Sequence, residues 1–481
     1  MKKLFLSLTA ILLSLALTAC SSEEGAALNG AADDGATAGA PSLEGVSGGA
    51  SAAGAADGRG DGDAYYEAPG EPEYGYFDGA YDMAAGEAAA GGAYDYGSPD
   101  GYGENRIPAA AGTLTAGEWI DNDHISFWNA LHQIEDTGWS EYSALWSRAY
   151  TARTFVTVTF NDLPVENATV TVTSSDNKTL WTAKTDNEGK AYLFYNPSQL
   201  SGELTVTAKY FETTGKATIT ADNYTSCSID LIQITEVYYS NHSDSLDLML
   251  VVDTTGSMYD ELEYLQEELE SVIKRAVSDN GNIPVRLSVN FYRDDGDEYV
   301  VRDFPFTENI SQAIADLKAQ AADGGGDFPE KVNAALDNAI NSHDWSESST
   351  KLLFIILDAP PHSDDAKAVE AMNALTAQAA EKGIRIIPIL ASGGDKEAEY
   401  LMRDMAMKTG GTYLFLTDDS GVSAGGHIQP TVGEYEVEKL NDLMVKVINR
   451  YLAANTSTAS YIDEQVELSE EPDPDTTQYE Q

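Results

Sequence analysis

The chain has 481 residues, with 79 Asp and Glu against 28 Lys and Arg and a formal net charge of −51. Such a balance excludes nucleic acid as a partner and adsorption to anionic lipid as a mode of binding, because both rely on an excess of Lys and Arg. Two cysteines allow one disulfide at most, so core packing must carry the fold, and the length permits two folded domains.

At the amino terminus, Lys2 and Lys3 precede an apolar stretch from Leu4 to Leu17. The stretch is too short and too early for an ordinary membrane-spanning helix, and it predicts a leader over 1–19. Leu17, Thr18, Ala19 and Cys20 resemble the lipobox of bacterial lipoproteins. That resemblance implies cleavage before Cys20, diacylglyceryl attachment to its sulfur, and an extracytoplasmic protein anchored to a bacterial membrane by two or more acyl chains. With Cys20 lipidated, Cys227 has no disulfide partner in the chain.

Residues 20–113 are Gly, Ala, Asp, Glu, Ser and Tyr, with few aliphatic residues larger than Ala. A segment of this kind buries too little apolar area to offset its ordering entropy, which predicts a disordered acidic linker extended by like charge. The acidic, proline-containing stretch 454–481 predicts a disordered tail on the same grounds.

The composition changes at Leu114. Trp119, Trp128, Trp139 and Trp146 fall within a short span, and Phe127, Leu131 and Ile134 share one helical face, which predicts a Trp-rich helical cap over 114–150 packed on the next domain. Over 151–236 the pattern alternates with period two through about seven runs separated by Asn, Asp, Gly and Pro, which predicts an all-β, Ig-like sandwich. Leu163-Pro-Val165, Ala168 to Val172 and Thr185-Asp-Asn-Glu-Gly189 resemble the carboxypeptidase regulatory-like module. The resemblance implies a spacer or adhesive sandwich and brings no catalytic residues.

From Asp244 to about Ala453 strand and helix patterns alternate, as in a doubly wound α/β domain. Leu248 to Val252 is a buried strand ending at Asp253, followed by Thr254, Thr255, Gly256 and Ser257 and then by Leu262, Leu265, Leu269 and Ile273 at helical spacing. Asp253, Thr255 and Ser257 alternate along the loop, so one carboxylate and two hydroxyls can converge, a set suited to a small hard cation. An N-cap and ordinary turn chemistry explain the same residue types.

Lys351 to Asp358 is a second buried strand that ends in an aspartate, and two neighbouring strand-tip carboxylates repel unless a cation lies between them. The strand-terminal loop resembles the D-x-S/T-x-S element of the von Willebrand factor type A (VWA) domain. The resemblance implies a metal-ion-dependent adhesion site that holds Mg2+, or Ca2+ or Mn2+, with Thr255 and Ser257 as direct ligands, Asp253 direct or through water, and Asp358 through water. A Glu or Asp of an envelope or extracellular protein then completes the ion, in adhesion or in scaffolding an envelope complex. The family delivers a threonine to the metal from a Gly-rich turn. In Gly324-Gly-Gly-Asp-Phe-Pro-Glu330 Asp327 stands in its place, a pattern that resembles that of a few VWA members, some of them joined to α-kinase domains, and implies Asp327 as a ligand. Asp327 and Glu330 also have the spacing of a capping box around Pro329. Ile384 to Leu390 reads as a strand, Thr412 to Leu416 as an edge strand, and Val437 to Tyr451 as a closing helix.

Two alternatives belong to other classes. Asp253 to Ser257 is similar to the nucleophile loop of haloacid-dehalogenase-like phosphotransferases, which would make the chain a magnesium-dependent phosphohydrolase with Lys408 and the Asp418-Asp419 pair as supporting groups. The other is a structural envelope module without metal. The adhesion reading makes the chain no enzyme.

Overall fold

The computed structural model describes residues 109–453 except 135–136, 149, 222–223, 232–244, 281–282, 327 and 422–425. The leader 1–19, Cys20, nearly all of the linker 20–113, the tail 454–481 and Asp327 lie outside the described residues. Among the described residues no helix is long and apolar enough to cross a membrane.

The first described element is a strand, β1 (Thr115–Trp119), followed by two short helices, α1 (Ile125–Leu131) and α2 (Trp139–Leu145). Eight strands come next: β2 (Ala152–Phe160), β3 (Leu163–Pro164), β4 (Thr169–Thr173), β5 (Thr179–Lys184), β6 (Lys190–Tyr195), β7 (Glu203–Tyr210), β8 (Thr213–Thr220) and β9 (Tyr224–Asp230). They form two four-stranded sheets. In one, β2 pairs with β3 and β6 antiparallel and with β9 parallel; the other runs β5-β4-β7-β8. The period-two pattern explains the layering. In β4, Val170 and Val172 are fully buried while Thr169, Thr171 and Thr173 are half-buried on the opposite face, and the valines share a core with Val156, Val158 and Leu193 of the facing sheet.

The α/β part contains β10 (Leu246–Asp253), α3 (Tyr259–Asp279), β11 (Val285–Tyr292), β12 (Val301–Arg302), α4 (Ile310–Lys318), α5 (Val332–Asp337), β13 (Thr350–Leu357), α6 (Ala366–Lys382), β14 (Ile384–Leu390), α7 (Lys396–Thr409), β15 (Tyr413–Leu416), β16 (Glu438–Lys439) and α8 (Leu440–Leu452). The sheet order is β12-β11-β10-β13-β14-β15-β1-β16, with β10, β11, β13, β14 and β15 parallel. All eight residues of β10 are buried because helices cover both faces. Leu246, Leu248, Leu250 and Val252 pack with α3 and α8, whereas Met249 and Val251 join the core on the other face with α5, α6 and α7. After β10 the chain crosses to β11 on one side and later to β13 on the other. The crevice at the carboxyl ends of β10 and β13 is therefore the topological switch point, where open α/β sheets bind ligands.

Two expectations are corrected. Residues 114–150 do not form an all-helical cap, because Thr115–Trp119 is a strand paired antiparallel with both β15 and β16. Consequently Tyr413–Leu416 is an interior strand and not an edge. The pairing joins segments about three hundred residues apart, a relation with no local signature. The tryptophans are core residues, packed on the α/β part as well as near the sandwich. Trp128 stacks on Tyr400 of α7 at 5.4 Å, with Trp139 edge-on to the same ring at 5.6 Å. The fully buried guanidinium of Arg403 lies against both indoles and donates to both carboxylate oxygens of Asp121 at 2.7 and 3.0 Å and to Glu399 at 3.3 Å.

Candidate metal centre

The centre is built on two strand tips. Val252 of β10 lies opposite Ile356 of β13, so Asp253 and Asp358 follow within one register step of each other at the carboxyl edge. Both are almost fully buried. Thr255 donates to Asp253 Oδ1 twice, from its backbone N–H at 2.9 Å and from its hydroxyl at 2.7 Å, and the hydroxyls of Thr255 and Ser257 are 3.1 Å apart. The three side chains that alternate along the loop therefore do converge. Asp253 Oδ2 and Asp358 Oδ1 are buried with no hydrogen-bond partner.

A glycine turn closes over this loop. Gly256 N–H donates to Gly324 O at 3.2 Å and Asp323 N–H to Thr254 O at 3.1 Å. Gly324 and Gly325 have φ of +82° and +76°. A Cβ on Gly324 would meet the Asp297 carboxylate within 2.6 Å, and one on Gly325 would meet Glu330 Oε1 at 3.1 Å and Thr255 Cβ at 3.4 Å. Glycine is thus required by backbone conformation and by close approach. Beneath the loop, the buried Arg293 donates to Thr254 O and Ala321 O, which joins the ends of the two segments.

Electrostatics mark the centre as short of positive charge. Burial pushes the Asp253 carboxyl up to about 6, against the Thr255 hydrogen bonds that hold it down. Burial and then repulsion from Asp253 drive Asp358 well above the usual carboxylate range, opposed by the Ser257 hydroxyl. A third acid stands near them. Glu330 is 2% exposed, its Oε2 is buried without a partner, and burial followed by the charges of Asp253, Asp294 and Asp358 pushes it up to about 10. Sequence reasoning placed Glu330 in a capping box. In the structure it precedes α5, whose Lys331 N-cap makes no side-chain cap, and its N–H bonds Pro360 O at 3.0 Å, beside Asp358. Proline at 329 and the spacing to Asp327 hid this role, and the only available signal was a Glu close to a glycine turn.

The donor set fits a hard divalent cation. Unpartnered buried carboxylate oxygens and adjacent hydroxyls are what such an ion takes, and its charge would remove the repulsion among the acids. Among the described residues no three His, Cys, Asp or Glu side chains cluster tightly enough to hold an ion alone. An ion here would need the hydroxyls and water as well. His362 is engaged by Asp294 at 3.0 Å. Farther along the edge, Glu261 accepts from Ser392 N–H at 3.1 Å and contacts His427 Nε2 at 3.2 Å, while Asp418 contacts His427 Nδ1 at 2.7 Å. Against burial, those two carboxylates hold His427 above its ordinary range. Lys408, by contrast, is buried near the end of α7, paired with Asp404 and beneath Tyr150. A helix that leaves the carboxyl edge at Lys396 places it roughly 20 Å from that edge.

Residues 247–425 match the family model described as von Willebrand factor A domain. This stretch is a VWA domain. It accounts for well under half of the chain. Among known proteins, a putative ariadne-like RING finger protein of Acanthamoeba polyphaga mimivirus is 32% identical over 117 residues, which cover 24% of this chain and 11% of that protein. The α-protein kinase vwkA of Dictyostelium discoideum is 27% identical over 124 residues, covering 26% and 20% of the two chains. The chain thus spans a small part of either relative. Two solved structures are similar at 17% identity and a TM-score of 0.28. One is the conserved hypothetical protein BatB from Bacteroides thetaiotaomicron, with 35% of this chain and 89% of that one covered. The other is an aerotolerance-related membrane protein from Bacteroides fragilis, with 43% and 99% covered.

Proposed function

We propose that the VWA domain binds a protein partner through a divalent cation, in adhesion or in scaffolding an envelope complex, and that the chain is not an enzyme. Thr255 and Ser257 contact the ion directly, Asp253 directly or through water, Asp358 through water, and Glu330 adds negative charge beside them. Asp327 is a further contact. Mg2+ is the ion expected, with Ca2+ or Mn2+ as substitutes. The partner supplies a Glu or Asp to the remaining coordination position. The observation that carries this reading is the pair of buried, unpartnered oxygens, Asp253 Oδ2 and Asp358 Oδ1, at adjacent strand tips.

In the same proposal Cys20 carries the lipid anchor, the linker spaces the folded part from the membrane, and the two sheets of 151–236 act as an Ig-like, carboxypeptidase regulatory-like spacer. The phosphohydrolase alternative is disfavoured by the place of Lys408, which is held in a buried pair away from Asp253. Calorimetric titration of Mg2+ into the full chain tests the proposal. One saturable site, lost in Ser257→Ala, supports it, and no heat in either protein rejects it.

A further inference from the structure

Few large apolar side chains are exposed among the described residues, and two of them flank the candidate centre. Tyr259 is 47% exposed and Phe328 is 45% exposed. Tyr259 follows Ser257 by two residues, at the start of α3, and Phe328 precedes Glu330 by two residues in the segment after the glycine turn. Gly256 N–H donates to Gly324 O, which brings together, beside the candidate centre, the two segments that lead into Tyr259 and Phe328. Neither ring is needed for the core: β10 and β13 are closed over by Met258, Leu262 and Leu265, all buried. Exposed aromatic side chains leave their apolar area unburied in the free protein, and such residues are the ones that anchor interfaces.

The charge around them selects the partner. Asp295, Glu298, Asp323, Asp364 and Asp365 are exposed on loops at the same edge of the sheet; Lys331 pairs with Asp295 at 2.7 Å, and Arg302 at 3.2 Å and Arg293 at 4.0 Å pair with Glu298. A second copy of this chain, with its own net charge of −51, is repelled by such a rim.

We propose that Tyr259 and Phe328 determine the specificity of the site, and that its occupant is a segment of a different protein. That segment carries one acidic residue for the ion, bulky apolar residues on either side of it that pack on the two rings, and Lys or Arg beyond them facing the acidic rim. The inference rests on the ion-binding reading and adds the chemistry of the sequence it recognises.

The test uses the full chain in Mg2+ and three synthetic peptides, Lys-Phe-Glu-Phe-Lys, Lys-Ala-Glu-Ala-Lys and Lys-Phe-Gln-Phe-Lys, with affinity read by calorimetry or by protein NMR shifts. The first peptide binds about tenfold or more tighter than the second. Tyr259→Ala with Phe328→Ala removes that difference and leaves Mg2+ affinity unchanged; both side chains are exposed, so the fold tolerates the change. Equal binding of the first two peptides, with the Gln peptide silent, overturns the aromatic proposal and leaves the ion reading standing. Equal binding of the Glu and Gln peptides overturns the ion reading, and the inference with it. No binding of any peptide to Mg2+-loaded protein overturns the inference alone.

Discussion

Asp253 and Asp358 stand at the tips of adjacent parallel strands, each with one carboxylate oxygen buried and without a hydrogen-bond partner. Two such groups are a cost to a metal-free protein and an asset to a metal-bound one, and this asymmetry yields the first predictions.

In metal-free protein the stability depends on pH in a defined direction. The folded-state pKa of Asp253 is raised, from 3.8 to about 6, so its favourable contribution is complete below the unfolded value and is lost as pH rises through about 6. Glu330, raised to about 10, extends the loss to higher pH. Thermal denaturation in chelator is expected to show a melting temperature that falls from pH 4 to 7. Mg2+ at a hundredfold its dissociation constant is expected to add about 2.7 kcal/mol of stability.

Asp253→Asn separates the ion from the fold. The amide oxygen still accepts the two Thr255 donors, and the repulsion with Asp358 disappears. The variant in chelator is expected to be at least as stable as the native chain, while stabilisation by Mg2+ is lost. Denaturation curves with and without the ion measure both effects.

Gly324→Ala distorts the turn without adding or removing a charge. A non-glycine residue at φ +82° costs about 1–2 kcal/mol, and the Asp297 carboxylate must move as well. Reduced stability together with weaker Mg2+ binding is the expected outcome, measured by denaturation and calorimetry.

Arg403 ties the segment 114–150 to α7. Arg403→Ala leaves Asp121 and Glu399 buried without their shared cation, which costs about 3–5 kcal/mol. Trp128→Ala, emptying the space beside Tyr400, costs a similar ~3–5 kcal/mol. Equilibrium unfolding in urea reads both, and the two losses are expected to be non-additive because Arg403 lies over the Trp128 ring.

What sequence revealed here follows from what is local. A buried run ending in Asp253 and another ending in Asp358 are legible because strand, turn and helix are contiguous, and the alternation of Asp253, Thr255 and Ser257 fixes their shared side of the loop. The partnership of β1 with β15 is not legible, since nothing in Thr115–Trp119 names the distant strand it joins. Glu330 is hidden for another reason. Its spacing imitates a helix cap, and only its bridge to Pro361, with its N–H on Pro360 O, sets it beside Asp358. His427 meets Glu261 across 166 positions, again a product of the fold and not of any motif.

The central claim, one cation shared by the two strand tips and the hydroxyl loop, is tested most directly by anomalous diffraction from crystals of the protein soaked in Mn2+. A single strong peak is expected within coordination distance of the Thr255 and Ser257 hydroxyls, between the carboxylates of Asp253 and Asp358. Ordered density for these side chains with no peak among them, at Mn2+ concentrations that saturate hard-oxygen sites, would contradict it.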